Sequence, residues 1–133
     1  MKKEFVNYEM ALALKELGFD EPCFTYYYNV TGKLRTNLSI DINNDVNYML
    51  NKKLGITLAP TFYQAFRFFR DEKLSDSCVC RYQSRDDGGI YYYYVINHDF
   101  GIKETKHFKE GFFSYEEAEL ACLLKLIEIV KNK

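Results

Sequence analysis

Tyr63, Arg67 and Arg70 stand four and seven residues apart in a stretch whose remaining residues are largely apolar. On a helix these three side chains fall within about 60° of one another, away from a stripe of phenylalanines. Two guanidiniums beside a phenol can hold a phosphate or carboxylate in forked geometry while the ring stacks on a base. Arg81 and Arg85, a short way along the chain, add positive charge. The same three residues also fit a plain solvated helix face, with Asp71 and Glu72 exchanging weak ion pairs with the arginines.

Four consecutive tyrosines, Tyr91 to Tyr94, are the second constellation. In a strand, alternate members face opposite sides of the sheet. Two then pack under helices with their hydroxyls on polar partners. The other two lie exposed, as Tyr27 can too, making an aromatic surface of the kind enriched at interfaces. Tyr92 and Tyr94 are the pair assigned here to ligand or partner binding, with Tyr63, Arg67, Arg70 and Arg81. Exposed tyrosine is equally ordinary on a wet sheet face.

Other chemistry is thinner. The four cysteines are Cys23, Cys78, Cys80 and Cys122, and the two histidines are His98 and His107. Cys78 and Cys80 share a strand face, but no second ligand pair is spaced to complete a zinc site, so no metal is expected. No cysteine opens a helix in the manner of an activated thiolate, and Asp86-Asp87 sits where a turn favours aspartate for backbone reasons. Gly88-Gly89 belongs to a hairpin and not to a phosphate-cradling strand–helix loop. No catalytic residue and no cofactor is assigned.

Composition sets the bounds. The chain has 133 residues, 47% of them apolar and 17% aromatic, with twelve Tyr, eleven Phe and no Trp, so one packed α+β domain spanning 1–133 is expected. A net charge of -1 offers no bulk attraction to nucleic acid or anionic membrane. Exposed sheet aromatics can stack single-stranded bases, but the chain lacks a basic stripe. Met1 to Phe5 leads straight to a helix start and no apolar run approaches about 18 residues, so neither a secretory signal nor a membrane span is expected. A cytoplasmic setting follows, with the cysteines as reduced, small apolar residues.

These residues must be positioned by elements that the sequence marks with a repeated phrase. Asn7-Tyr8-Glu9-Met10-Ala11, Thr61-Phe62-Tyr63-Gln64-Ala65 and Ser114-Tyr115-Glu116-Glu117-Ala118 start 54 and 53 residues apart, each opening an apolar-periodic stretch. The first helix runs from Asn7, as cap, to Leu17, where Gly18 and Pro22 end it. Phe24 to Val30 and Lys33 to Ile42 read as a hairpin, the second strand alternating cleanly. The stretch 43–59 has no clear period and reads as an irregular connection. Thr61 with Gln64 forms a capping box for a helix that places Phe62, Ala65, Phe66 and Phe69 on one face. Ser77 to Ser84, Ile90 to Ile96 and Ile102 to Phe108 read as strands, with turns at Arg85 to Gly89 and Asn97 to Gly101.

The third helix starts at Ser114, boxed with Glu117, and continues to about Lys131. One apolar stripe carries Tyr115, Ala118, Cys122, Leu126 and Ile129. A second carries Leu120, Leu124 and Ile127, and these three are the candidate oligomer interface. The order is therefore α-ββ-α-βββ-α, a mainly antiparallel sheet with helices on one face. The recurring phrase suggests an α-ββ unit used twice, or simply the recurring needs of helix caps.

Three blocks carry a resemblance. Tyr8 to Cys23, Ala59 to Phe62 with Gln64 to Arg67 and Phe69-Arg70, and Tyr115 to Cys122 with Ile127 to Lys131 resemble the opening, middle and ending of a family of short, uncharacterised proteins encoded by phages and prophages of gut Bacteroidetes. The matches cover a little under half of the chain. The resemblance implies a phage-type accessory protein working in a bacterial cytoplasm, in anti-defence or host takeover, and transfers no catalytic residue. The combined expectation is a non-enzymatic binding protein, homo-oligomeric, that meets a host protein or sequesters a small anionic nucleotide-like ligand. A small enzyme acting on such a substrate and a single-stranded nucleic-acid-binding module are the alternatives.

Overall fold

Each helix start is held by the residue that the repeated phrase supplies. A computed structural model describes residues 4–21, 23, 25–36, 56–99 and 104–132. Helix α1 (Tyr8–Glu16) begins where the Asn7 carboxamide accepts the Met10 N–H at 2.9 Å. It ends with Gly18 in the left-handed region (φ 98°) and Phe19 N–H reaching back to Leu14 C=O at 2.9 Å, a closure that a Cβ would strain. Helix α2 (Phe62–Glu72) opens on a reciprocal box: Gln64 N–H donates to Thr61 Oγ1 and Thr61 N–H to Gln64 Oε1, both at 3.1 Å. Helix α3 (Tyr115–Lys131) opens with Glu117 N–H on Ser114 Oγ, while the Glu117 carboxylate accepts Phe113 N–H, both at 3.2 Å.

The architecture is α+β, and it divides into two compact units, residues 1–65 and 66–133, the boundary falling within α2. The first unit holds α1 and a three-stranded antiparallel sheet of order β2-β1-β3, with β1 Thr25–Tyr28, β2 Leu34–Thr36 and β3 Ile56–Ala59. The second holds an antiparallel meander β4-β5-β6, with β4 Ser75–Gln83, β5 Ile90–Asp99 and β6 Glu104–Phe112, and α3 packed across it. The helix–hairpin spacing recurs, but the sheets are built differently: the first strand is central in one and the second in the other.

Several expected boundaries move. The stretch read as an irregular connection contains β3 over Ile56–Ala59, which pairs along β1 from Thr25↔Ala59 to Tyr28↔Ile56. Three successive residues, Thr57 to Ala59, are buried without alternation, and that hid the strand. Thr57, Leu58 and Ala59 are all buried, with Thr57 Oγ1 donating to Asn29 Oδ1 and Thr25 Oγ1 to the Ala59 C=O, each at 2.6 Å. Asn97, His98 and Asp99 continue β5 instead of turning, because His98 pairs with both Ser75 and Thr105. Strand β6 likewise runs on to Phe112. Other expectations lie outside the described residues: the stop at Pro22, the strand start at Phe24, the course of 37–55 with the rest of the second strand, and 100–103, with the end of a turn and a strand start.

The two cores follow from the apolar faces. In the first unit Met10, Ala11 and Leu14 of α1 are buried with Val6 and Phe19. Tyr27, for which the sequence left a surface position open, is buried there, and its hydroxyl donates to Val6 C=O at 2.6 Å, which satisfies the one polar atom the ring carries inward. In the second unit Ala118, Cys122, Leu123, Leu126 and Ile127 of α3 are buried together with Tyr94 and Ile96 of β5. Ile127 thus belongs to the core, whereas Leu120 and Leu124 remain 38% and 52% exposed.

Leu74, joining α2 to β4, adopts φ 55° with its side chain 56% exposed. A left-handed conformation costs a Cβ-bearing residue about 1–2 kcal/mol, and this one recovers little by burial. Leu74→Gly should therefore raise stability by about 1 kcal/mol, read as a higher urea midpoint at unchanged slope.

Candidate functional site

The meander's two faces differ completely in chemistry. Cross-strand partners share a face, so Ser75, Ser77, Val79 and Arg81 lie on the side of Tyr92, Tyr94, Ile96 and His98, under α3. The opposite side receives Cys78, Cys80 and Tyr82 from β4 and Tyr91 and Tyr93 from β5. Helix α3 covers the first side only.

On the side away from α3 the rings form a continuous chain. Tyr82 lies 5.9 Å from Tyr91 and 5.8 Å from Tyr93; Tyr91 lies 5.8 Å from Phe113, and Tyr93 5.5 Å from Phe108. Such spacings are those of mutually attractive aromatic pairs. Phe108 and Phe113 are 56% and 76% exposed, far more than packing of a closed core permits. A bulge makes this arrangement possible. Between Lys109↔Tyr94 and Phe112↔Tyr92, two residues of β6 oppose the single Tyr93, with Gly111 at φ 92°. Phe112 thereby turns inward to stack on Tyr94 at 5.9 Å, while Phe108 and Phe113 stay outward.

Polar groups fix the patch at its ends. Tyr91 hydroxyl donates to Asp87 in the hairpin turn, and Asp87 also accepts Gly89 N–H at 2.8 Å. These bonds hold the Asp87 carboxyl below its usual range and push the Tyr91 phenol up. At the other end the Tyr93 phenol is raised chiefly by its hydrogen bond with Cys80, whose sulfur lies 3.9 Å from that of Cys78. Cys78 is exposed and Cys80 partly so, so these two thiols are not the buried apolar fillers expected from the sequence.

The residues singled out in the sequence are distributed differently. Tyr94 is 5% exposed beneath α3, and Tyr92 packs edge-on to Tyr115 at 6.3 Å on the same side, so the open pair is Tyr91 and Tyr93. The choice between odd and even members was a matter of strand parity that four identical residues cannot reveal. Arg81 is exposed but sits on the α3 side of the register, across from Tyr92. On α2, Tyr63 and Arg70 are exposed and Arg67 half-buried, and Arg70 Nε donates to Asp71 Oδ1 at 3.1 Å, the surface ion pair of an ordinary helix face.

Two grooves occupy other places. One, of about 450 Å³, lies in the first unit among Phe5, Asn7, Tyr27, Lys33 and Arg35. The other, of about 540 Å³, runs between β6 and α3 past His107, Lys109, Leu124 and Lys125. Ser75 and His98 share a hydrogen bond through Nδ1, a pairing that would suit nucleophile activation, but both are at most 1% exposed, out of reach of any substrate. Among the described residues no three His, Cys, Asp or Glu converge to hold a metal ion, and no helix is long and apolar enough to cross a membrane. What fold and site define together is an α+β chain with one helix-covered and one open aromatic sheet face. No protein-family model, curated protein or solved structure matches it.

The thiols offer a direct check. Burial, aided by Glu21, pushes the Cys23 thiol up to about 12 from 9.0, and burial does the same to Cys122 against a smaller opposing hydrogen bond from Ser77. The folded state therefore keeps protons that the unfolded state loses. This contribution to stability is full below about pH 9 and declines as the pH rises from there toward 12. The urea midpoint should fall between pH 8 and pH 10.5, and a disulfide reagent at pH 8 should modify Cys78 and Cys80 quickly and the other two only on unfolding.

Proposed function

We propose that this protein is a non-enzymatic binding protein that docks a protein partner on the open face of its second sheet. The observation that carries the reading is the five-ring patch of Tyr82, Tyr91, Tyr93, Phe108 and Phe113, with its two phenylalanines outward. Water contact with those rings is unfavourable by about 25 cal/mol per Å² of apolar surface, so an occupant that covers them gains directly. Rigid aromatics held by neighbours also lose little side-chain freedom on binding, which is why such residues dominate interface energetics.

A flat, open, aromatic face suits a protein surface better than a small anion. A nucleotide needs cations around it, and Arg81 and Lys109 are on the register rows of Tyr92 and Tyr94, under the helix side. Lys106, across from Asn97, is the basic residue of β6 on the open side. The same shortage weighs against single-stranded nucleic acid, whose affinity comes largely from phosphate contacts. The resemblance of the three helices to short phage proteins supplies a context, in which the partner is a component of the bacterial host and the purpose is anti-defence or takeover.

A photo-crosslinking residue placed at Phe113 should capture one discrete host protein that the same residue at Tyr63 does not. Binding of that protein should weaken about 30-fold in Phe108→Ser, as expected when a hot-spot side chain is removed. It should change less than threefold in Arg67→Ala with Arg70→Ala. The reverse ranking would move the site to α2 and restore the anionic-ligand reading.

A further inference from the structure

Cys78 and Cys80 are two apart on one strand, with free thiols on its open side and sulfurs 3.9 Å apart. Two strand residues span about 6.6 Å between Cα atoms, the upper limit for a disulfide, so the pair is poorly placed to oxidise to a bridge within the chain. It is well placed for another purpose. Zinc–thiolate bonds of about 2.3 Å at the tetrahedral angle separate two sulfurs by about 3.8 Å. The observed spacing is thus that of two adjacent corners of a tetrahedral zinc–thiolate centre.

We propose that Cys78 and Cys80 form half of a zinc site, completed by the same two cysteines of a second copy of this chain. A structural zinc needs four ligands, and among the described residues no third His, Cys, Asp or Glu joins the pair. A second copy presenting its own pair, turned across the first, supplies the missing two corners. Both sulfurs lie on the face free of α3, so an approaching copy meets them without displacing the helix. Tyr93 stands directly across from Cys80 on the neighbouring strand, so its ring flanks one ligand from outside the coordination sphere, where partners of zinc ligands commonly sit. Neighbouring rings of Tyr82 and Tyr93 would be covered in the same step, adding apolar burial to metal bonding. A chain of net charge -1 repels its own copy only weakly.

The inference uses the open face but does not depend on a host protein docking there. The test is titration of reduced, metal-free full-length protein with Zn(II), and separately with Co(II), followed by light scattering and absorption. The expected result is one ion per two chains, doubling of the mass, reversal by a chelator, and a Co(II) spectrum showing tetrahedral thiolate ligation. Cys78→Ser and Cys80→Ser should each abolish the doubling, whereas Cys23→Ala should keep it. A monomer throughout the titration, an ion bound by single chains, or doubling that survives Cys78→Ser with Cys80→Ser would overturn the proposal. Crosslinking from Phe113 and its loss in Phe108→Ser would be unaffected by any of those failures, so the two readings are judged separately.

Discussion

Side chains along a β-strand must alternate between its faces, and in the second unit that rule decides what each tyrosine of β5 does. Tyr94, Ile96 and His98 are turned toward α3 and build the core with Cys122, Leu123 and Leu126. Tyr91 and Tyr93 are thereby turned the other way, where among the described residues no helix covers them. Neither set can change side without a one-residue slip, which would put His98's neighbours and the whole core row into water. The Gly111 bulge extends the same division to β6, turning Phe112 in and leaving Phe108 and Phe113 out. The open aromatic face is thus a direct consequence of how the core is built.

Several polar atoms carried into the two cores meet local partners, and those pairings offset part of the cost of burying them. Ser75 Oγ and His98 Nδ1 share a hydrogen bond across the ladder. In the first unit Asn29 receives hydroxyl protons from both Thr57 and Tyr8, at 2.6 and 3.3 Å, and Tyr27 donates to Val6. A buried polar group left unmet costs about 1–3 kcal/mol, so these pairings matter more than the weak ion pairs at the surface. Among the latter, Arg70 with Asp71 and Lys125 with Glu128 are neighbours on their own helices and tie no distant parts together.

Local chemistry was readable from the sequence and parity was not. All three caps formed on the residues that announce them, because Asn7, Thr61 and Ser114 act on N–H groups three residues away. The hairpin between β4 and β5 likewise turned at Ser84 to Gly89, where Gly88 takes φ 70°. Strand β3 is hidden in the sequence because Thr57, Leu58 and Ala59 are buried without alternation, and the end of β5 because His98 pairs with Ser75, a partner 23 residues away. In the run of four tyrosines the pattern cannot say which pair faces away from α3, and only the position of that helix does. Of the second apolar stripe of α3, Leu120 and Leu124 lie outward, while Ile127, one step around the helix, falls inside.

The account rests on one assignment, that Phe108, Phe113 and Tyr93 face solvent while Tyr94 and Ile96 do not. Hydroxyl-radical footprinting of the full chain, read residue by residue by mass spectrometry, tests it most directly. Phe113 and Phe108 should oxidise fastest, Tyr91 and Tyr93 at intermediate rates, and Tyr94 only after unfolding. Fast oxidation of Tyr94 with protection of Phe108 and Phe113 in the isolated protein would mean that the sheet presents its other face, and the account would be wrong.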